Sequence, residues 1–203
     1  MSDTEPSPDE FFKIRREKKQ QLEEEGINPY PYEFGRSDDT HIAIEKYNPD
    51  SDEELGEEVI VAGRITARRV HGKATFFDLS DEKGTLQIYV SAGYLDDEEQ
   101  YSQIDELWDM GDFVGIRGEL FETNEGEISV VAREATMLSK GLRPLPEKFH
   151  GLQDIELRYR KRYLDLLSNP EVREIFQTRD EFIFSIRRQL REESFLEVET
   201  PMM

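Results

Sequence analysis

The 203-residue chain has no cysteine. That excludes disulfides, a thiolate nucleophile and cysteine-ligated zinc. Histidine is scarce as well: His41, His71 and His150 stand too far apart to build a metal site by paired spacing. No apolar run approaches the ~20 residues needed to cross a bilayer as a helix. The start, Met1-Ser2-Asp3-Thr4-Glu5-Pro6, lacks the charged head and apolar core of a signal peptide. A soluble cytoplasmic protein without a membrane partner is expected.

Positive charge is in short supply too. Lys and Arg number 26 against 46 Asp and Glu, for a formal net charge of -20. A surplus of that sign disfavours phosphate binding over the surface as a whole. The acid is concentrated in runs that read as solvated loops: Asp38-Asp39, Asp50-Ser51-Asp52-Glu53-Glu54, Glu57-Glu58 and Asp96-Asp97-Glu98-Glu99. Basic residues cluster apart from them, at Lys13, Arg15, Arg16, Lys18 and Lys19, and again at Arg158, Arg160, Lys161 and Arg162. Net charge is therefore a poor guide to partners. The extent of the acid suggests adaptation to a salty cytoplasm, where excess carboxylate favours solubility.

Ser7-Pro8-Asp9-Glu10 has the pattern of a capped helix start, and Gly26 that of its stop. The helix between them carries the first basic cluster, which fits either a solvated face or one turned to RNA. Its apolar stripe, Phe11, Phe12, Ile14 and Leu22, is thin. From about Glu58 the apolar period changes to two. Strands are predicted over Val59–Val70, with a bend or bulge at Gly63, and over Ala74–Leu79, Thr85–Val90, Asp112–Phe121 and from Glu127 onward. A helix is predicted from Tyr101 to Trp108. Three strands, a helix and two strands is the order of a five-stranded OB-fold barrel, and the glycines in its long strands suit strong bending. Ser139 to Gln153 reads as a linker. A helix is predicted over about Asp154–Leu167. Another, capped at Asn169-Pro170, has Val172, Ile175, Phe176, Ile183, Ile186 and Leu190 on one face, for a core or a partner. A short strand, Phe195 to Val198, follows it.

An OB barrel reads nucleic acid with aromatic faces and a few polar groups on its strands. Phe76 and Phe77 point to opposite faces, though alternation does not say which is outside. Gln87 offers a donor and acceptors suited to a base edge. Arg69 could reach a base or a phosphate. By pattern alone, two core phenylalanines, an exposed polar Gln87 and a solvated Arg69 fit better than a nucleotide-reading surface.

Gly26-Ile27-Asn28-Pro29-Tyr30-Pro31, Val61-Ala62-Gly63-Arg64 and Gly72-Lys73-Ala74-Thr75-Phe76 resemble class II lysyl-tRNA synthetases of subclass IIb. So do Arg143-Pro144-Leu145-Pro146-Glu147-Lys148-Phe149-His150-Gly151-Leu152-Gln153-Asp154 and Arg162-Tyr163-Leu164-Asp165-Leu166. Phe195-Leu196-Glu197-Val198-Glu199-Thr200-Pro201 resembles the class motif 1. The resemblance implies an N-terminal helix and extended acidic segment at 1–57, an OB-fold anticodon-binding domain at 58–138 and a hinge at 139–153. It implies the start of an α+β catalytic domain with motif 1 at 154–203. Phe76 would then stack on the central anticodon base, Gln87 and Arg69 would read its edge, and Glu127, in Gly126-Glu127-Ile128-Ser129, would help read a neighbour. Lys13, Arg15, Arg16, Lys18 and Lys19 would be tRNA backbone contacts. Phe195, Glu197 and Pro201 would belong to a homodimer interface. The implied activity is lysine–tRNA ligation with tRNA(Lys), lysine, ATP and Mg2+. Motifs 2 and 3 are expected beyond Met203, which leaves this stretch with neither catalytic nor metal-binding residues and inactive alone. The Phe76, Gln87 and Arg69 set also fits aspartyl and asparaginyl enzymes, which the hinge argues against. A freestanding OB-fold RNA-binding protein is the other alternative, which motif 1 argues against.

Overall fold

The computed structural model describes residues 7–50, 55–145 and 152–201, and the chain divides into two compact units, 1–144 and 145–203. The middle of the hinge, Pro146 to Gly151, and Ser51 to Glu54 of the second acidic run lie outside the described residues.

The first unit is built on a closed barrel. Its strands are β1 (Glu58–His71), β2 (Ala74–Ser80), β3 (Thr85–Ser91), β4 (Phe113–Glu122) and β5 (Ile128–Ser139), in the order β1-β2-β3-β5-β4. All pairs are antiparallel except β3 with β5. Alternation sends Val59, Val61, Ile65, Phe77, Leu79, Leu86, Ile88, Val90, Val114, Ile116, Leu120 and Val130 into one continuous core. Helix α3 (Gln100–Leu107), between β3 and β4, adds Ile104 and Leu107 to it, with Trp108 just beyond.

Closure brings backbones close together. A Cβ at Gly118 would lie 2.0 Å from the Val131 carbonyl oxygen, where the β4–β5 register shifts. Gly63, expected to mark a bend, instead allows a close approach: a Cβ there would meet the Ser80 carbonyl oxygen at 2.7 Å. The β1 irregularity falls between Ile65 and Ala67, so the bulge belongs to Thr66.

Helix α1 (Pro8–Glu24) has the predicted capping box, with Ser7 and Glu10 exchanging hydrogen bonds, and ends before Gly26 at φ 81°. Its basic face is divided in a way that corrects one expectation. Arg15 is 6% exposed, and its guanidinium donates to the carbonyls of Met110 (2.8 Å), Gly141 (3.0 Å) and Arg143 (3.2 Å). A backbone phosphate cannot reach it. Lys18 pairs with Asp109 at 2.8 Å, and Asp109 also binds Lys140 at 2.7 Å. The fully buried Lys140 ammonium further donates to Asp112 (2.7 Å) and the Leu107 carbonyl (2.6 Å). These contacts latch α1 to the loop before β4 and to the end of β5. Burial pushes the Asp112 carboxyl above its ordinary value, against the pull of Lys140. Burial also opposes the Asp109 charge, yet Lys140 and Lys18 hold that carboxyl below its ordinary value.

The acidic run at Asp38-Asp39 is structural rather than solvated. Asp39 caps an unforeseen helix, α2 (Thr40–Glu45), and Asp38 is buried against Lys46 at 2.7 Å. Asp81, in the β2–β3 turn, accepts from the Thr40 amide (2.9 Å), the Thr40 hydroxyl (2.7 Å) and the amides of Lys83 (2.7 Å) and Gly84 (3.1 Å).

The second unit is helical where described. The helix expected over 154–167 is two, α4 (Ile155–Arg160) and α5 (Arg162–Ser168), broken at Lys161 with φ -118° and ψ 55°. The break lets Arg158 and Arg162 converge on buried Asp165. Asn169 occupies the cap position of α6 (Pro170–Glu192), but its side chain donates to Asp165 at 2.7 Å instead of capping. Along α6, Val172 is buried while Ile175, Phe176, Phe182, Phe184, Ile186 and Leu190 are exposed. Phe195 to Val198 is not a strand. A strand is defined by a hydrogen-bonded neighbour, and among the described residues none pairs with this segment. An ion pair joins Glu197 to Arg187 at 2.9 Å, and Phe195 and Pro201 are exposed.

Candidate nucleic-acid interface

The outer surface of β1, β2 and β3 is organised around Phe76. Phe77 is 1% exposed and packs beside Trp108 in the core, so alternation places Phe76 outside. Arg69 lies opposite Phe76 on β1, and Tyr89 lies opposite it on β3. The Phe76 ring is held by Tyr89 (centroids 5.0 Å) and by the edge of His71 (5.9 Å). Tyr89 in turn meets Tyr94 and Phe121, each at 6.0 Å. The result is a continuous aromatic strip with Phe76 only partly covered.

Polar groups flank the strip on the same face. The Arg69 guanidinium donates to both Asp78 oxygens, at 2.6 and 3.3 Å, and these bonds push its pKa further up. Two register rows along, Asp78 stands opposite Gln87, and Gln87 opposite Ser129 on β5. Gln87 is 8% exposed, contrary to an ordinary exposed polar position. Its Nε2 donates to Glu127 Oε2 at 2.6 Å, and its Oε1 accepts from the Ser129 hydroxyl at 2.9 Å. Glu127 is exposed at the mouth of the β4–β5 turn.

Arg69, Phe76, Gln87 and Glu127, drawn from four segments, thus share one face. Geometry adds Asp78, Tyr89 and Ser129 to the set. The signal for the first two was in the sequence: each is two residues from a candidate, and strand neighbours at that spacing share a face. Such a surface offers one ring face for a flat aromatic ligand, with a cation and an amide at its rim. Of the basic residues on α1, Lys13 and Arg16 are exposed, while Lys19 pairs with Glu23 at 2.6 Å.

The family description "OB-fold nucleic acid binding domain" matches residues 59–138, and "tRNA synthetases class II (D, K and N)" matches 154–203. The lysine–tRNA ligase of Moorella thermoacetica is 49% identical over 96% of this chain. That of Streptococcus suis is 49% identical over 94%, and that of Halalkalibacterium halodurans 46% over 96%. Over nearly its whole length the chain is similar to class II lysyl-tRNA synthetases. It spans about 38% of the length of these relatives. Both parts that the resemblance implied, the OB fold and the opening of a class II domain, are matched.

Such a synthetase implies ATP and a divalent ion. Among the described residues no group of three or more His, Asp or Glu is arranged to hold a metal, so the donor set present does not fit one. Among the described residues, no helix is long and apolar enough to cross a membrane.

Proposed function

We propose that this chain is the anticodon-binding part of a cytoplasmic lysine–tRNA ligase, which joins lysine to tRNA(Lys) with ATP and Mg2+ as a homodimer. The observation that carries this reading is Phe76, an aromatic face on an OB barrel with Arg69, Gln87 and Glu127 around it. The central anticodon base stacks on the Phe76 ring. Gln87 and Arg69 meet its edge, and Glu127 reaches a neighbouring base. Lys13 and Arg16, exposed on α1, are left as the backbone contacts. Residues 58–138 form the anticodon-binding domain, 139–153 the hinge, and 154–203 the start of the catalytic domain. The exposed apolar side chains of α6, with Phe195, Glu197 and Pro201, belong to the dimer interface.

Aspartyl and asparaginyl ligases share the class II description matched at 154–203, but the 46–49% identical relatives carry the lysine name. A freestanding RNA-binding module does not account for that second match.

The test is tRNA affinity. Phe76→Ala should weaken binding of a lysine tRNA by about 1–3 kcal/mol, the usual size of one lost base–aromatic stack. An anticodon-swapped tRNA should bind more weakly than the cognate one. Equal binding of the two, or an unchanged affinity in a folded Phe76→Ala protein, would sink the proposal.

A further inference from the structure

Gln87 is an amide with two chemically different ends, and the structure leaves it one orientation. A carboxylate accepts hydrogen bonds and donates none. The end of Gln87 that lies 2.6 Å from Glu127 Oε2 is therefore the NH2 group. Turning the amide over would set its oxygen against the carboxylate, two acceptors face to face. At the other end the buried Ser129 hydroxyl donates to Gln87 Oε1 at 2.9 Å. Ser129 could rotate to accept instead, so Glu127 enforces the orientation and Ser129 reinforces it. After these two bonds Gln87 retains one N–H and one lone pair, in a fixed order, for a ligand on this face.

We propose that Glu127 and Ser129 set base specificity at the stacked position by locking the Gln87 amide, so that it accepts uracil and rejects cytosine in the same pose. The inference rests on the reading of this face as an anticodon site. Uracil presents a carbonyl oxygen beside a ring N–H. Cytosine presents an amino group beside a bare ring nitrogen, the reverse order. A freely turning amide satisfies both bases; a locked one meets cytosine donor to donor and acceptor to acceptor. Only Oε2 of Glu127 is engaged by Gln87, and its other carboxylate oxygen is left for a neighbouring base. Ser129 acts through Gln87 and is a positioning residue.

The experiment measures binding of two synthetic anticodon stem-loops, identical but for U or C at the central position. The proteins are the wild-type chain and its Glu127→Gln, Ser129→Ala and Phe76→Ala variants. Wild type should prefer the U loop by roughly tenfold or more, the span of a good bidentate contact. Glu127→Gln offers both a donor and an acceptor to Gln87, so the amide can turn. The preference should shrink to a few-fold because the C loop gains affinity. Ser129→Ala should fall between the two. Phe76→Ala should weaken both loops and leave their ratio alone. An unchanged U-to-C ratio in Glu127→Gln, or equal losses for both loops, overturns the lock while leaving the site intact, provided Phe76→Ala still weakens binding. If Phe76→Ala has no effect, the site reading itself is wrong. The Gln87 side-chain NH2 resonance of the free protein gives a second readout. It should move when Glu127 becomes Gln even without RNA, and a stationary resonance would show that no lock exists.

Discussion

Two clusters of charged and polar groups in the first unit, one on the barrel face and one beneath α1, are treated in opposite ways. On the barrel face, Arg69 meets one carboxylate and Gln87 meets another, with solvent at the rim and donors and acceptors still unspent. Beneath α1, Lys140 is fully buried, and its ammonium spends its donors on Asp109, Asp112 and the Leu107 carbonyl. Arg15 saturates three backbone carbonyls beside it. A closed network fixes one arrangement of chain; an open one can accept a ligand. Residue type does not distinguish the two, since both set basic residues against carboxylates. Burial and partner count do.

Breaking the latch should have the largest effect. Lys140→Met leaves Asp112 buried without its cation, and removing one partner of a buried pair costs about 3–5 kcal/mol. Denaturant unfolding should show that loss. Stem-loop affinity, corrected for the folded fraction, should stay at the wild-type value. A Lys140→Met protein as stable as wild type would mean the latch contributes nothing, and the contrast between the two clusters would collapse.

The second-largest effect sharpens the comparison through pH. Burial opposes the charge of Asp81, but its hydrogen bonds from Thr40, Lys83 and Gly84 hold its carboxyl below the ordinary value of 3.8. A depressed carboxyl contributes stability above its unfolded pKa, and that stability is lost as pH falls through the folded one. Asp112 runs the other way. Its folded pKa lies above 3.8, so stability falls as pH rises through the interval just above that value. Stability should therefore drop on acidification below about pH 4, and Asp81→Asn should flatten that drop. Asp112→Asn should instead abolish the opposite slope, the gain of stability on acidification through the interval just above 3.8. Matching slopes in the two variants would show that the groups are not poised in opposite senses.

The barrel was legible because period-two alternation survives in every strand, and turn residues separate them. Strand position raised Phe76, Gln87 and Arg69 as candidates, but only family resemblance favoured them over the core-and-solvent reading and added Glu127. Alternation left Phe76 and Phe77 undecided, since the choice depends on where Trp108 packs. Arg15 was misjudged because an amphipathic reading treats arginine as solvent-seeking. The three carbonyls that capture it lie 95 to 128 residues away in sequence. Helix α2 was missed because it is six residues long and held by Asp81 from another segment. The expected strand at Phe195 illustrates the opposite error: its local pattern is strand-like, and no described residue pairs with it. Long-range partners decide each of these cases, and single-sequence periodicity does not contain them.

The smallest effect concerns salt, and it probes the surface that neither cluster uses. Asp96 to Glu99 and Glu23 to Glu25 are exposed runs of like charge. They repel at low ionic strength, and at 0.1 M the screening length is about 10 Å, short enough to relieve repulsion between runs. The exposed ion pairs lose strength over the same range, including those that Arg117 makes with Glu58, Asp96 and Glu134, but exposed pairs contribute little individually. With a net charge of -20, repulsion should win, and stability should rise with added salt by about 1 kcal/mol or less. RNA affinity should move the other way. With Arg15 buried, Lys18 held by Asp109 and Lys19 by Glu23, the α1 cations left for phosphate are Arg16 and Lys13, whose exposed pair with Glu17 spans 4.0 Å. Two contacts imply a log–log salt slope of roughly -1.4 on a single strand. One titration series, read by thermal melting and by stem-loop binding, measures both. Stability that falls with salt would contradict salt adaptation. A slope several times steeper would mean that phosphate contacts outside the aromatic face dominate binding, and the division into one open and one closed cluster would miss the main cationic surface.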